Sequence, residues 1–225
     1  TTSMNNSSES VNYSTAALAA VINQANGQSD PVATSPITFT VEFSNPVNPA
    51  TFTASDIIQN GTATGITWSL STTDDATWTL TASGMSASGT VIPSIADSTV
   101  VDVFGNNNAA STSTDNTVTY DVTAPVLTFS SLSPSNPGST LTPSVRGTAS
   151  KSSLVTLYYD SLCSTAKSGA TASTAFAAPG ITVTGLVNSN ANTTIYAKAV
   201  DSLGNASSCT TCLLYTSDAA DDTPC

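Results

Sequence analysis

The stretch Asp115-Asn-Thr-Val118-Thr-Tyr120-Asp121-Val-Thr-Ala-Pro125 reads as the closing strand of one β-domain running into the next. Val118 and Tyr120 alternate with polar residues, the period-two pattern of a half-buried strand. Pro125 fixes its own φ and pushes Ala124 towards an extended conformation, so the joint is taut. A weaker copy stands at Ser10-Val11-Asn-Tyr13-Ser-Thr-Ala-Ala17, with Leu18 in place of the proline. A second marker also recurs, Val101-Asp102-Val-Phe-Gly105-Asn106 and Val200-Asp201-Ser-Leu-Gly204-Asn205. Two markers repeating about a hundred residues apart predict tandem domains.

Outward from the joint, the pattern is that of short strands. Ile37, Phe39, Val41 and Phe43 alternate strictly, and Asn45-Pro46 and Asn48-Pro49 close that strand with turn chemistry. Strands are expected at Ile66–Leu70 and Thr77–Thr81, joined by a hairpin turn at Thr72–Asp75. Val91 to Ile95 and Val100 to Val103 give two more, and Phe52 and Ile57 add core weight. After the joint, strands are expected at Val126–Phe129, Val145–Ala149, Leu154–Tyr159, Ile181–Thr184 and Thr193–Val200, with a loop at Ser133–Gly138. In the last strand Ile195, Ala197 and Ala199 share one face and Tyr196 and Lys198 the other; parity does not say which is core. No stretch has helical apolar periodicity. Short strands punctuated by turns predict an all-β chain of two antiparallel β-sandwiches.

Composition agrees. Charged residues are 8 % and hydrophobic residues 39 % of the chain, the wrong balance for disorder. No apolar run is long enough to span a membrane, and no secretory signal is present; the chain opens mid-domain, as a fragment does. Residues 1–122 hold ten acids and no Lys or Arg, while Arg146, Lys151, Lys167 and Lys198 all follow the joint. An acidic first domain argues against nucleic acid, whose phosphates need clustered cations.

Several motifs together support a family resemblance. Ser35-Pro-Ile-Thr-Phe-Thr-Val-Glu-Phe-Ser44, Phe52-Thr-Ala-Ser-Asp56-Ile57, Asp102-x-x-Gly105-Asn106 and the Thr117–Pro125 joint resemble, in that order, bacterial Ig-like repeats. Leu157-Tyr-Tyr-Asp160-Ser-Leu-Cys163 and Ala199-Val-Asp201-Ser-Leu-Gly-Asn205 resemble a sister type. The resemblance implies an immunoglobulin-like fold in a large bacterial surface or secreted protein. Its implied role is a non-catalytic stalk of an adhesin, with neighbouring repeats as partners. A module binding glycan or a host protein through loops at a sandwich end is the alternative. The expected division is a preceding repeat's tail over 1–19, domains over 20–122 and 123–211, the second truncated, and a non-native tail over 212–225. Two departures stand out: the first linker copy lacks its proline, and Asn45 sits where the first type often carries an acid, which weakens metal binding there.

The Asp-x-x-Gly-Asn motifs have a physical reading of their own. Asp bonds backbone amides a few residues on, and Gly and Asn accept a left-handed backbone. Asp102, Gly105 and Asn106, and Asp201, Gly204 and Asn205, are therefore expected to build tight turns. Calcium ligation is the competing reading, but one carboxylate is no shell. The remaining calcium candidates are Asp115 and Asp121, which flank the joint strand and could stiffen it with an ion; otherwise no cofactor is expected.

The cysteines are Cys163, Cys209, Cys212 and Cys225. Cys212-Leu-Leu-Tyr-Thr-Ser-Asp-Ala-Ala-Asp221 breaks the Ser/Thr-rich style and resembles a translated sequencing-library adapter. Residues 212–225 are accordingly set apart from the fold, and Cys209-x-x-Cys212 is not taken as a zinc or redox motif. Cys163 and Cys209 remain; an even count in a secreted-looking chain favours a disulfide over two separate thiols.

Enzymatic readings fare poorly. The chain has no His, so Ser-His-Asp, Cys-His and His-metal chemistry are absent. Asp74 and Asp75 are adjacent at a hairpin tip, not opposed across a cleft as a glycosidase pair is. Trp68 and Trp78 could stack on sugars if exposed, but cross-strand core packing is the simpler expectation.

Overall fold

The computed structural model describes residues 16–135, 140–186 and 192–216. The chain divides into two compact units, Thr1–Asp121 and Val122–Cys225. It is an all-β protein, with 44 % strand, 6 % helix and antiparallel sheets.

The first unit contains β1 (Ala20–Gln24), β2 (Ile37–Phe43), β3 (Ile57–Gln59), β4 (Thr67–Thr72), β5 (Thr77–Ser83), β6 (Gly89–Val91), β7 (Pro93–Ile95) and β8 (Val118–Tyr120). One sheet runs β1-β2-β5-β4; β3 pairs with β7, and β6 with β8. The alternation in β2 does what it predicts: Ile37, Phe39, Val41 and Phe43 are buried, and the residues between them are not. Leu80, Val91, Ile95 and Val118 complete the same core. The β4–β5 hairpin closes on Asp74, whose Oδ1 accepts the N–H groups of Ala76 (3.0 Å) and Thr77 (2.7 Å), with Asp75 left-handed at φ 58°.

Three expectations for this unit need correction. Residues 16–19 do not belong to a preceding repeat's tail, and the unit does not start at 20. Leu18 is fully buried, bonds Asn107 and Ala109 through its backbone, and leads into β1, so its apolar side chain serves this core rather than a joint. The Val11 and Tyr13 copy lies outside the described residues. Val91 to Ile95 is not one strand but two, β6 and β7, with different partners; Pro93 has no N–H to carry a ladder through. Val100 to Val103 forms only isolated bridges, Val101 to Asn107 and Asp102 to Val47, because a tight turn begins at Asp102 and leaves Val103 exposed.

The second unit contains β9 (Leu127–Ser133), β10 (Ser144–Ala149), β11 (Ser153–Tyr158), β12 (Thr171–Ala172), α1 (Ser173–Ala177), β13 (Ile181–Thr182), β14 (Asn192–Asp201) and β15 (Thr210–Thr216). A three-stranded sheet, β13-β10-β9, faces a four-stranded one, β12-β11-β14-β15. Leu127, Val145 and Ile181 from the first, and Val155, Leu157 and Ile195 from the second, enter one core. Ala197 and Ala199 are fully buried with Ile195, which settles the face that parity left open. The short helix α1 was not expected. It places Phe176, fully buried, edge-on to Phe129 with ring centroids 5.8 Å apart, and over Gly147, where a Cβ would strike the Phe176 ring. The ring fills the space that the missing Cβ of Gly147 leaves. Half of the expected Ser133–Gly138 loop, residues 136–138, lies outside the described residues, and Ser133 is the last residue of β9. β15 continues past Thr211, but its register with β14 shifts there: Thr211 pairs with Tyr196 and Leu213 with Ile195, so Cys212 is bulged out of the ladder.

Candidate functional site: the aspartate turns and their surroundings

Each unit has one Asp-x-x-Gly-Asn motif, and both fold into the same turn. Asp102 Oδ1 accepts the N–H groups of Phe104 (2.9 Å) and Asn106 (2.8 Å). Its Oδ2 accepts Nδ2 of Asn106 (3.0 Å) and of Asn45 (3.3 Å). Gly105 is left-handed at φ 90°, and its N–H donates to the Asp102 carbonyl. Asp201 repeats this with Leu203 N–H (3.0 Å), Asn205 N–H (2.9 Å) and Asn205 Nδ2 (3.0 Å), around Gly204 at φ 88°. Where the first unit has Asn45, the second has the Lys151 ammonium, 2.8 Å from Asp201 Oδ2.

The equivalence extends beyond the motif. Asn108 and Ser207 each lie six positions after their aspartate. Asn108 Oδ1 accepts the Val100 N–H (2.8 Å), and Ser207 Oγ the Ala199 N–H (2.9 Å). The buried polar residues described are Asp102, Asn108, Asp201 and Ser207, one such pair in each unit. All four tie the end of one strand segment to the chain that follows, as buried polar groups require.

The electrostatics follow from the donors. Burial alone would push the Asp201 carboxyl up; Lys151, the Asn205 amide and backbone N–H groups overcome it and bring it down to about 2. Burial works against Asp102 as well, and the Asn106 and Asn45 amides with two backbone N–H groups hold it below the ordinary range. Both oxygens of each carboxylate are engaged, by four N–H donors at Asp102 and by three with the Lys151 ammonium at Asp201.

A third copy of the turn was missed. Asp160-Ser-Leu-Cys163-Ser164 places Asp160 Oδ1 against the N–H groups of Leu162 (3.2 Å) and Ser164 (2.9 Å). Cys163 takes the left-handed position at φ 50°, where the other two turns have glycine. The shared Asp-Ser-Leu with Asp201-Ser-Leu was the available clue. Cys163 is disulfide-bonded to Cys209, with Cα atoms 5.7 Å apart, so this turn is stapled to the residue preceding β15. Cys212 is a free thiol packed against the core, and burial pushes it up to about 12.

The other candidates disperse. Asp115 Oδ2 accepts Gln24 Nε2 at 2.8 Å, and Asp121 Oδ1 accepts Ser88 Oγ at 3.3 Å, on either side of β8. Among the described residues, no group of three or more His, Cys, Asp or Glu side chains is placed to hold a metal. Trp78 is buried against Phe52, ring centroids 5.1 Å apart, and Trp68 packs on Phe39 at 6.4 Å. They share the inner face of the β4–β5 hairpin but are not opposite each other: Trp68 faces Ala82 and Trp78 faces Thr72. Trp78 is buried and Trp68 partly buried. No described helix is long and apolar enough to cross a membrane.

No protein-family model matches the chain, and no curated protein matches it in sequence. Among solved structures, it is similar to the N-terminal part of the bacterial S-layer protein SbsC, at 15 % identity and a TM-score of 0.30. That alignment covers 88 % of this chain and 44 % of the other, so the chain spans less than half of its length.

Proposed function

We propose that the chain is a non-catalytic spacer: two immunoglobulin-like sandwiches in tandem, from a bacterial surface or secreted adhesin-like protein, with neighbouring repeats as partners and no cofactor. One observation carries the reading. The chemistry-bearing side chains that recur in both units, Asp102 with Asn108 and Asp201 with Ser207, are all engaged by the fold's own N–H groups. A repeated motif turned inward in this way serves the frame. The disulfide fits the same role. Tension applied to the ends of the second unit cannot extend the segment between Cys163 and Cys209, which are 46 positions apart.

Single-molecule pulling tests this. A load-bearing spacer gives two separate unfolding peaks, and reductant lengthens one of them by about 150 Å, the reach of the released segment at ~3.3–3.6 Å per residue. Extension without peaks at low force would rule the spacer role out.

A further inference from the structure

The two four-stranded sheets present different outer faces. In the second unit, Leu154, Thr156 and Tyr158 of β11 lie directly opposite Val200, Lys198 and Tyr196 of β14. All six point away from the core that takes Val155, Leu157, Ala197 and Ala199. Ala172 of β12 extends the apolar row beside Leu154. Leu154 is 52 % exposed and Val200 36 %, and a shallow groove beside them is lined by Ser152, Ser153 and Ser202. In the first unit the outer face of the β1-β2-β5-β4 sheet carries Thr38, Thr40, Thr79 and Ser71, with Glu42 beside Thr77. Hydroxyls are ordinary for a wetted face; a Leu–Val row and a Tyr–Tyr row on either side of Thr156 and Lys198 are not. Tyrosine in such a place combines an apolar body with a polar tip, the composition of contact surfaces.

Charge indicates what covers it. All four cations of the chain lie after residue 122, and the first unit has none. Lys198 sits in the middle of the second unit's outer face, and Glu42 on the first unit's. First units repel one another, whereas residues 122–216 of the second unit hold four cations against Asp160 and Asp201 and attract them. We propose that the Tyr158–Tyr196–Lys198 face docks on the Ser/Thr face around Glu42 of a second copy of the chain. Lys198 then meets Glu42, and the tyrosine hydroxyls meet threonine hydroxyls. The contact joins two different surfaces, so it propagates from copy to copy unless rotation closes a ring. It concerns lateral contact between chains and is independent of the spacer reading.

Sedimentation velocity on the full chain tests it, at about 0.02 M and about 0.5 M salt, where screening differs several-fold in range. The expected result is concentration-dependent association at low salt that weakens at high salt. Lys198→Glu and Glu42→Lys each weaken it about tenfold or more, as charge reversal at a paired contact does. Mixing the two variants restores association, because both junctions between unlike variants pair opposite charges and only like variants repel, so the two alternate along the assembly. Tyr158→Ser with Tyr196→Ser also weakens association, with far-UV circular dichroism confirming that the fold is kept. A chain that stays monomeric at both salts overturns the proposal. So does association that ignores Lys198→Glu or Glu42→Lys, or a mixture that fails to recover.

Discussion

Replacing Cys163 and Cys209 removes the only cross-link among the described residues, and its effect can be worked out in advance. The cysteines are 46 positions apart. Releasing a loop of that length restores about 4 kcal/mol of conformational freedom to the unfolded chain, on the chain-entropy account of disulfides. For a unit of roughly a hundred residues that lowers the melting midpoint by on the order of 15–25 °C. A second, smaller effect separates the possible replacements. Cys163 is left-handed at φ 50°, a conformation that costs a non-glycine residue ~1–2 kcal/mol. Cys163→Ser with Cys209→Ser keeps that cost, whereas Cys163→Gly with Cys209→Ser relieves it. The glycine version is therefore expected to be the more stable of the two by about 1 kcal/mol. The chain supplies its own control, since both tryptophans, Trp68 and Trp78, belong to the first unit. Tryptophan fluorescence follows that unit alone, while far-UV circular dichroism follows both. The expected outcome is a biphasic melt in which the dichroism gains a low-temperature phase and the fluorescence midpoint stays put. A loss below about 1 kcal/mol would refute the loop argument. A fluorescence midpoint that moved with the dichroism would refute the assignment of the staple to the second unit.

Other outcomes follow from the turns. Asp102→Ala leaves four N–H donors without their acceptor in a buried place, and should cost the first unit about 2–3 kcal/mol by urea denaturation followed through tryptophan fluorescence. Asp201 titrates at about 2 when folded and at 3.8 ordinarily, so the folded unit holds fewer protons. Its contribution is present above pH 3.8 and is lost as pH falls towards 2, which acid titration of the second unit's melting midpoint would show. Gly204 is left-handed, and the space a Cβ would take there is open, with nothing within 4 Å. Gly204→Ala should therefore cost about 1 kcal/mol from backbone alone and Gly204→Asn less, read by thermal melts. Asn45→Asp puts a second carboxylate within reach of Asp102 Oδ2, where Asn45 now donates a hydrogen bond. That variant should be destabilised in chelator and recover on adding calcium, whereas the unaltered chain should show no calcium dependence in the same melt.

How far the sequence could be read depends on the range over which each constraint acts. β2 was legible because one face is core and the other solvent, so burial imprints itself on every second residue. β14 obeys the same rule with little contrast: Ile195 and two small alanines point inward and Tyr196 and Lys198 outward, so size and polarity do not mark the core face. Phe176, buried in the same core, gives no such signal either. That phenylalanine rides on a helix of five residues, too short for a 3.6-residue period to show. The Lys151–Asp201 pair spans fifty positions and leaves no local trace. The turns show the limit most clearly. What the backbone demands is an acceptor at the first position, a left-handed residue at the fourth and a donor at the fifth. Gly105-Asn106 and Gly204-Asn205 meet the demand with the residues best suited to it, so those two turns announce themselves. Cys163-Ser164 meets it at a cost, with a residue whose side chain is committed elsewhere, to Cys209. The constraint is the same at all three sites, but a spelling rule written on glycine finds only two. A rule written on the hydrogen bonds, an aspartate accepting from the residues two and four positions on, finds all three.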